Sequence, residues 1–181
     1  MSVKQTSKTR EYIMKCVYSG VLIALGILLP QAFHIFGQNA GMIFLPIQIP
    51  IFMAGILLGP YYGLIVGLIV PVLSAMLTGM PPVPKLYFML FELGTYGLMT
   101  GFMSKRCNIY LNLAVSMAAG RIVYGLSLVG GIYLLQMQAP FMNTAAFVSG
   151  ITSGIPGVII QFAVIPILYL VLKKGGFTFA K

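Results

Sequence analysis

The chain has 181 residues, of which 59% are hydrophobic and 7% charged, and its net charge at pH 7 is +9. A soluble domain of this size would not stay in solution with that composition, so we expect an integral membrane protein in a lipid bilayer. The basic residues flank apolar runs instead of forming one interleaved patch, which argues against nucleic acid as a partner.

Apolar runs of membrane-spanning length predict an all-α protein with six transmembrane helices in a single domain, 1–181. The predicted helices are about 11–29, 43–59, 61–78, 86–104, 109–135 and 144–172. The first is predicted to end at Pro30. The polar segment before it has no signal-peptide pattern, so we expect the mature chain to start at or near Met1.

Small residues recur every four positions in the first three predicted helices. Such spacing lets helices approach closely in lipid, either within one chain or against a partner subunit. The candidate docking positions are Cys16, Gly20 and Ala24 on the first helix and Gly55, Gly59, Gly63 and Gly67 around the turn at Pro60.

Two segments are predicted as loops near a site. The loop 30–42 carries His34, which is more typical of a loop or interfacial residue than of a catalytic base. The proline-rich loop 79–85 is stiff and serves as a lid or as a simple connector. Between them, prolines break the start of the second helix on either side of Gln48.

Two opposite charges lie inside apolar segments. Glu92 is one of two acidic residues in the chain, and Arg121 lies in the next segment. If the short link between them forms a hairpin, both lie about 18 Å from the same membrane face. An ionisable group at that depth is costly when unpaired, so each is a candidate functional residue with the other as its partner.

Further polar residues predict a cavity around this pair. Tyr96 and Tyr124 lie about one turn from the two charges. The sixth predicted helix is polar and glycine-rich in its first half and apolar in its second, which suggests a cavity in one half of the membrane. The candidate substrate-binding residues are His34, Gln48, Glu92, Tyr96, Arg121, Tyr124, Asn143, Ser149 and Ser153.

The distribution of lysine and arginine predicts that both termini face the cytoplasm. With that orientation nine basic residues lie inside and one, Lys85, lies outside. The loops 30–42, 79–85 and 136–143 would then meet over an outward-facing cavity.

The sequence does not contain the motifs of several common enzyme classes. The chain has no phosphate-binding Gly-x-x-x-x-Gly-Lys-Ser/Thr loop, no His-Glu-x-x-His and no Gly-x-Ser-x-Gly turn, so no enzyme and no catalytic residue is expected. Two distant cysteines and one histidine do not predict a metal or cofactor. A proton-coupled secondary carrier using Glu92 and Arg121 and a structural or accessory membrane protein stay open as alternatives.

Taken in order, the motifs resemble the substrate-binding S components of energy-coupling factor (ECF) vitamin importers over nearly the whole chain. The residues that carry the resemblance are the small residues of the first helix, Leu45-Pro46-Ile-Gln48-Ile-Pro50, Ala54-Gly55-x3-Gly59-Pro60, Thr78-Gly79-Met80-Pro81-Pro82 and Phe91-Glu92-Leu93-x2-Tyr96-Gly97.

The resemblance implies a multi-pass protein of a prokaryotic plasma membrane that captures a vitamin or related micronutrient from outside. It implies docking through the first three helices on a membrane coupling (T) subunit attached to two ATPase subunits, gating by the first outer loop and by the loop between helices three and four, and ligand contacts from helices four to six. Substrate does not carry over from the family. Because the chain has no tryptophan to clamp a large flat ring, pantothenate or a pyridoxine-like compound is favoured.

Overall fold

The computed structural model describes residues 2–35, 37, 40–133 and 144–175. Within these ranges it contains helices and no strand, which confirms the predicted all-α class. The helices are α1 (Ser2–His34), α2 (Ala40–Phe44), α3 (Gln48–Leu58), α4 (Pro60–Thr78), α5 (Lys85–Met103), α6 (Ile109–Tyr133), α7 (Thr144–Ser153) and α8 (Ile155–Lys174).

Two of the six predicted helices are interrupted, so the described ranges hold eight helices where six are predicted. The second predicted helix is divided into α2 and α3 by residues 45–47, and the sixth into α7 and α8 at Gly154. Pro156 lies in the first turn of α8, where a missing N–H removes no helical hydrogen bond. A new helix can therefore begin there at a changed angle.

Helix α1 is longer than predicted at both ends. It continues through Pro30 to His34, so the prediction that it ends at Pro30 is wrong. A proline removes one backbone hydrogen bond and bends a helix without necessarily ending it. The polar N-terminal segment is also helical, and Lys15 Nζ forms an ion pair with Glu11 Oε1 at 2.7 Å, one turn apart.

Helix α3 forms the centre of the core. Ten of its eleven residues are buried, as expected for a helix that is apolar on every side. It is surrounded by α1, α4, α5 and α8. Phe52 and Ile51 on α3 are fully buried, together with Leu93 on α5.

Glycines bring α3, α4 and α5 into close contact. A side chain on Gly97 of α5 would overlap the backbone of Gly63 on α4, and one on Gly55 of α3 would lie 3.1 Å from Cβ of Thr100 on α5. Gly59 makes the turn between α3 and α4 with φ of 103°, a conformation that favours glycine. This packing fixes the position of α5, the helix that carries Glu92.

Four helical stretches in the described ranges are long and apolar enough to cross a membrane: Lys8–Phe33, Pro60–Thr78, Ile109–Tyr133 and Ile155–Lys174. Helix α3 is apolar but shorter. The crossing of the membrane by α5, which carries Glu92 among glycines, threonine and tyrosine, stays a prediction, as does the orientation of the termini.

Candidate ligand-binding site

The predicted ion pair between α5 and α6 is present. Arg121 Nη1 lies 3.1 Å from Glu92 Oε1. The same carboxylate oxygen accepts a hydrogen bond of 2.6 Å from the hydroxyl of Tyr96, one turn along α5. Because two partners share one oxygen of Glu92, the carboxylate is held between the two helices.

Tyr96 is part of the helix packing. Its residue is 1% exposed, and its ring centroid lies 5.0 Å from that of Phe52 on α3. Gly120 of α6 lies against the ring. Tyr124, one turn beyond Arg121, is half-buried and has the ring of Phe88 at 6.4 Å in an edge-on arrangement. Tyr96 therefore contacts the ion pair directly, while Tyr124 packs on Phe88, one turn before Glu92 on α5.

Arg121 is the more accessible member of the pair. Its side chain is 26% exposed, against 5% for Glu92. A Cβ on Gly154, at the junction of α7 and α8, would lie 3.6 Å from Arg121 Nη2 and 3.1 Å from Leu45 Cδ1. One edge of the guanidinium thus contacts Glu92, while the other lies near the break in the sixth predicted helix.

Gln48 pairs with Gln161, which is not among the predicted binding residues. Gln161 Nε2 of α8 donates to Gln48 Oε1 and to the backbone oxygen of Leu45, each at 3.2 Å. Gln161 is fully buried. In the sequence, Gln161 is a single amide in the second half of the sixth predicted helix, a stretch that is otherwise plain apolar.

The other predicted binding residues are not gathered at the pair. Ser149 and Ser153 are exposed on α7, and Ser153 Oγ donates to Gly150 O at 3.4 Å. His34 ends α1, and its side chain lies outside the described part of the structure. Asn143 also lies outside the described residues.

A cavity of about 170 Å³ lies beneath the proline-rich loop. Small-molecule sites more typically enclose about 300–1,000 Å³, so a vitamin requires the walls to move apart. The loop is held to α4 by Ser74 Oγ, which donates to Met80 O at 2.9 Å. Among the predicted binding residues whose side chains the structure describes, none lines the cavity. Its described walls are Pro30, Gln31, Gly41, Pro46, Ile47, Ser74, Met80, Pro81, Pro82, Lys85 and Met89.

The predicted docking residues fall into two groups. Cys16, Gly20 and Ala24 are exposed on α1, and a Cβ on Gly20 would meet no atom within 4 Å. The glycines of α3 and α4 are instead in the interior. The backbone of α5 covers Gly55, Gly63 and Gly67, and Gly59 is buried in the turn, so these four do not form a surface that a partner can reach.

Helices of this length and apolarity, surrounding a buried ion pair, define a multi-pass α-helical membrane protein. Within the described ranges no three metal-ligating side chains come together. The family model described as ECF transporter, substrate-specific component, matches residues 15–169. The chain belongs to this family of transporter subunits. Comparison with curated proteins gave no match, and comparison with solved structures gave none either.

Proposed function

We propose that the protein is the high-affinity binding subunit of an ATP-driven importer in a prokaryotic plasma membrane. It captures a vitamin or related micronutrient outside the cell and delivers it through a membrane coupling subunit with two ATPase subunits. The observation that carries the proposal is the family match over residues 15–169. The missing phosphate-binding loop is consistent with it, because the partner subunits would supply the energy.

The ion pair and its surroundings support a binding role. Arg121 remains partly accessible while Glu92 compensates its charge within a largely apolar bundle. Placing charged side chains inside a membrane costs free energy, and such residues commonly mark substrate sites in membrane proteins. Pantothenate or a pyridoxine-like compound is the favoured substrate, since the chain has no tryptophan to clamp a large flat ring.

Helix α1 is the proposed docking surface for the coupling subunit. Cys16, Gly20 and Ala24 form an exposed stripe of small residues, which suits close contact with another helix. The glycines of α3 and α4 pack inside the bundle, so α1 carries the docking role within the first three predicted helices.

A second reading is a structural or accessory membrane protein in which Glu92 and Arg121 only brace α5 and α6. The burial of Glu92 and its hydrogen bond from Tyr96 favour this reading. A proton-coupled carrier is the third reading. It predicts uptake that depends on the proton gradient and needs no ATPase partner.

A vitamin panel on the detergent-purified protein separates the binding subunit from the structural reading. Riboflavin, folate, thiamine, biotin, pantothenate, pyridoxine and cobalamin would each be added to the protein in a thermal-shift assay, with native mass spectrometry for any co-purified ligand. A ligand at 100 times its Kd stabilises the folded protein by about 2.7 kcal/mol. We expect one vitamin to raise the melting temperature. If none does and no ligand co-purifies, the structural reading replaces the proposal.

A further inference from the structure

We infer that Arg121 and Gln161 are the two polar ends of the substrate site and that Leu45 occupies the space between them in this structure. The inferred substrate is a small carboxylate that also carries a hydroxyl group or an amide N–H. This inference rests on the proposed function and adds the chemical class of the ligand. Three observations support it. The side-chain oxygen of Gln161 has no hydrogen-bond donor among the described residues, one edge of the Arg121 guanidinium does not face Glu92, and Leu45 has an unfavourable backbone conformation.

The unsatisfied acceptor is the side-chain oxygen of Gln161. This oxygen is buried and accepts no hydrogen bond from the described residues. The orientation of the amide is fixed, because Leu45 O can only accept and must therefore face Nε2. A buried acceptor without a donor is unfavourable. A hydroxyl or amide N–H on a ligand would satisfy it.

The guanidinium of Arg121 supplies the opposite end. It has five N–H donors in a planar fork, and its Nη1 edge is directed at Glu92. The Nη2 atom lies towards Gly154, which has no side chain of its own to cover it. A fork of this kind can bind a second carboxylate on its other edge, which a lysine ammonium does with less geometric specificity.

Leu45 connects the two ends. Its carbonyl oxygen accepts the hydrogen bond from Gln161, and its side chain points to the position beside Gly154 that Arg121 Nη2 also approaches. Its φ is 50°, and among the described residues it is the one non-glycine residue with positive φ. This conformation is unfavourable for a residue with a β-carbon. A change of the backbone angles at Leu45 would remove the unfavourable φ. It would also move the side chain of Leu45 away from Arg121 and release the amide of Gln161 from the carbonyl oxygen of Leu45.

The adjoining segment lies between α8 and a cavity. Gly157 of α8 lies against the backbone of Ile43 and Phe44, with no side chain interposed. Pro46 and Ile47, on the other side of Leu45, line the cavity beneath the proline-rich loop. Displacement of residues 43–47 would therefore join that cavity to the space between Arg121 and Gln161.

Matched acid and neutral ligands test the carboxylate requirement on the full-length protein in detergent. The probes are pantothenate with pantothenyl alcohol, pyridoxate with pyridoxine, and biotin with biotinol. In the pair that binds, we expect the acid to bind about tenfold to a hundredfold more tightly, as for hydrogen bonds to a charged group. In the double variant Glu92→Gln/Arg121→Gln, which keeps two neutral polar side chains, this preference should disappear.

The outcomes separate this inference from the proposed function. If a neutral vitamin binds as tightly as its acid, the inference is overturned while the proposed function stands. If no vitamin of either kind binds, the proposed function fails and the inference falls with it.

A second pair of variants tests Gln161. Asn112 on α6 is a matched control, because it is also a buried amide whose Nδ2 donates to a backbone oxygen, Thr100 O, at 3.0 Å. Its own oxygen is already satisfied by Ser116 Oγ at 3.1 Å. Gln161→Met and Asn112→Leu should both lower the melting temperature of the empty protein. Only Gln161→Met should weaken binding of the acid, by about tenfold.

Equal affinities for Gln161→Met and the parent would overturn the role of Gln161 in the site. Leu45→Ala provides an independent readout, because the truncated side chain leaves less to displace. We expect it to bind the acid more tightly than the parent. Weaker binding by this variant would mean that Leu45 contacts the ligand and does not occupy its place.

Discussion

The ring of Tyr96 on α5 lies in the space that a side chain at Gly120 on α6 would occupy. A Cβ built on Gly120 would overlap the ring, and the closest atoms are Cε1 and Cδ1. Because Gly120 has no side chain, α6 can approach α5 closely enough for the next residue, Arg121, to reach Glu92. The ion pair thus depends on a glycine that makes no polar contact itself.

Replacement of Gly120 by alanine should destabilise the protein by about 1–3 kcal/mol, the usual effect of overpacking a filled core. The measurement is the melting temperature in detergent. Gly130→Ala is the control on the same helix, since a Cβ there would meet no atom within 4 Å. It should be neutral or slightly stabilising, because alanine favours a helix. Equal losses for both variants would contradict the packing role of Gly120.

The ion pair should behave as a coupled unit. Glu92→Gln or Arg121→Gln alone leaves an uncompensated charge and should cost about 3–5 kcal/mol. The double variant should cost less than the sum of the two. Thermal unfolding of the four proteins gives the coupling energy. Strictly additive losses would show that the two side chains act independently.

The exposed stripe on α1 should matter for uptake and not for ligand binding. Ala24→Leu places a bulky side chain on a surface that the chain itself leaves exposed. Uptake by cells that contain the coupling module should be lost, while ligand binding by the purified subunit stays at the parental level. Gly26→Leu is the contrasting variant, since a Cβ there would lie 2.7 Å from Val70 Cγ1 and disturb the core. Loss of binding in Ala24→Leu would argue that the stripe supports the fold.

The orientation of the chain can be measured by cysteine labelling. The native Cys16 and Cys107 are first replaced by alanine, and single cysteines are then introduced at exposed Val83 or Lys105. An impermeant reagent added to intact cells should label position 83 and not position 105. This result follows from the nine-to-one asymmetry of basic residues. Labelling at position 105 would reverse the proposed topology.

The sequence predicted those features correctly for which a local pattern is compatible with only one structure. Glu92 and Arg121 are charges in neighbouring apolar segments joined by a short link, so similar depth and pairing followed from helix geometry. The bounds of α4 and α5 were predicted within one residue at each end, because a glycine, prolines and a basic pair mark them.

The packing partners of the small residues and of Gln161 depend on which helices lie next to each other in the fold. Small residues spaced by four look alike whether they contact a helix of the same chain or another subunit. Gly63 packs on α5, whereas Gly20 on α1 is exposed. Gln161 was missed because an isolated amide has no partner visible in sequence. Its contacts with Leu45 and Gln48 join residues more than 110 positions apart.

Helix α3 on its own is too short to span a bilayer. Its eleven residues extend about 16 Å, roughly half of a hydrocarbon core of about 30 Å. If the turn at Gly59, which it shares with the longer α4, lies at one face of the membrane, its other end at Leu45–Gln48 lies near the middle. A substrate held there would already have travelled half of its route. If the proposed coupling subunit is the partner, it would need to open a path only through the remaining half, on the side where Gly59 turns the chain.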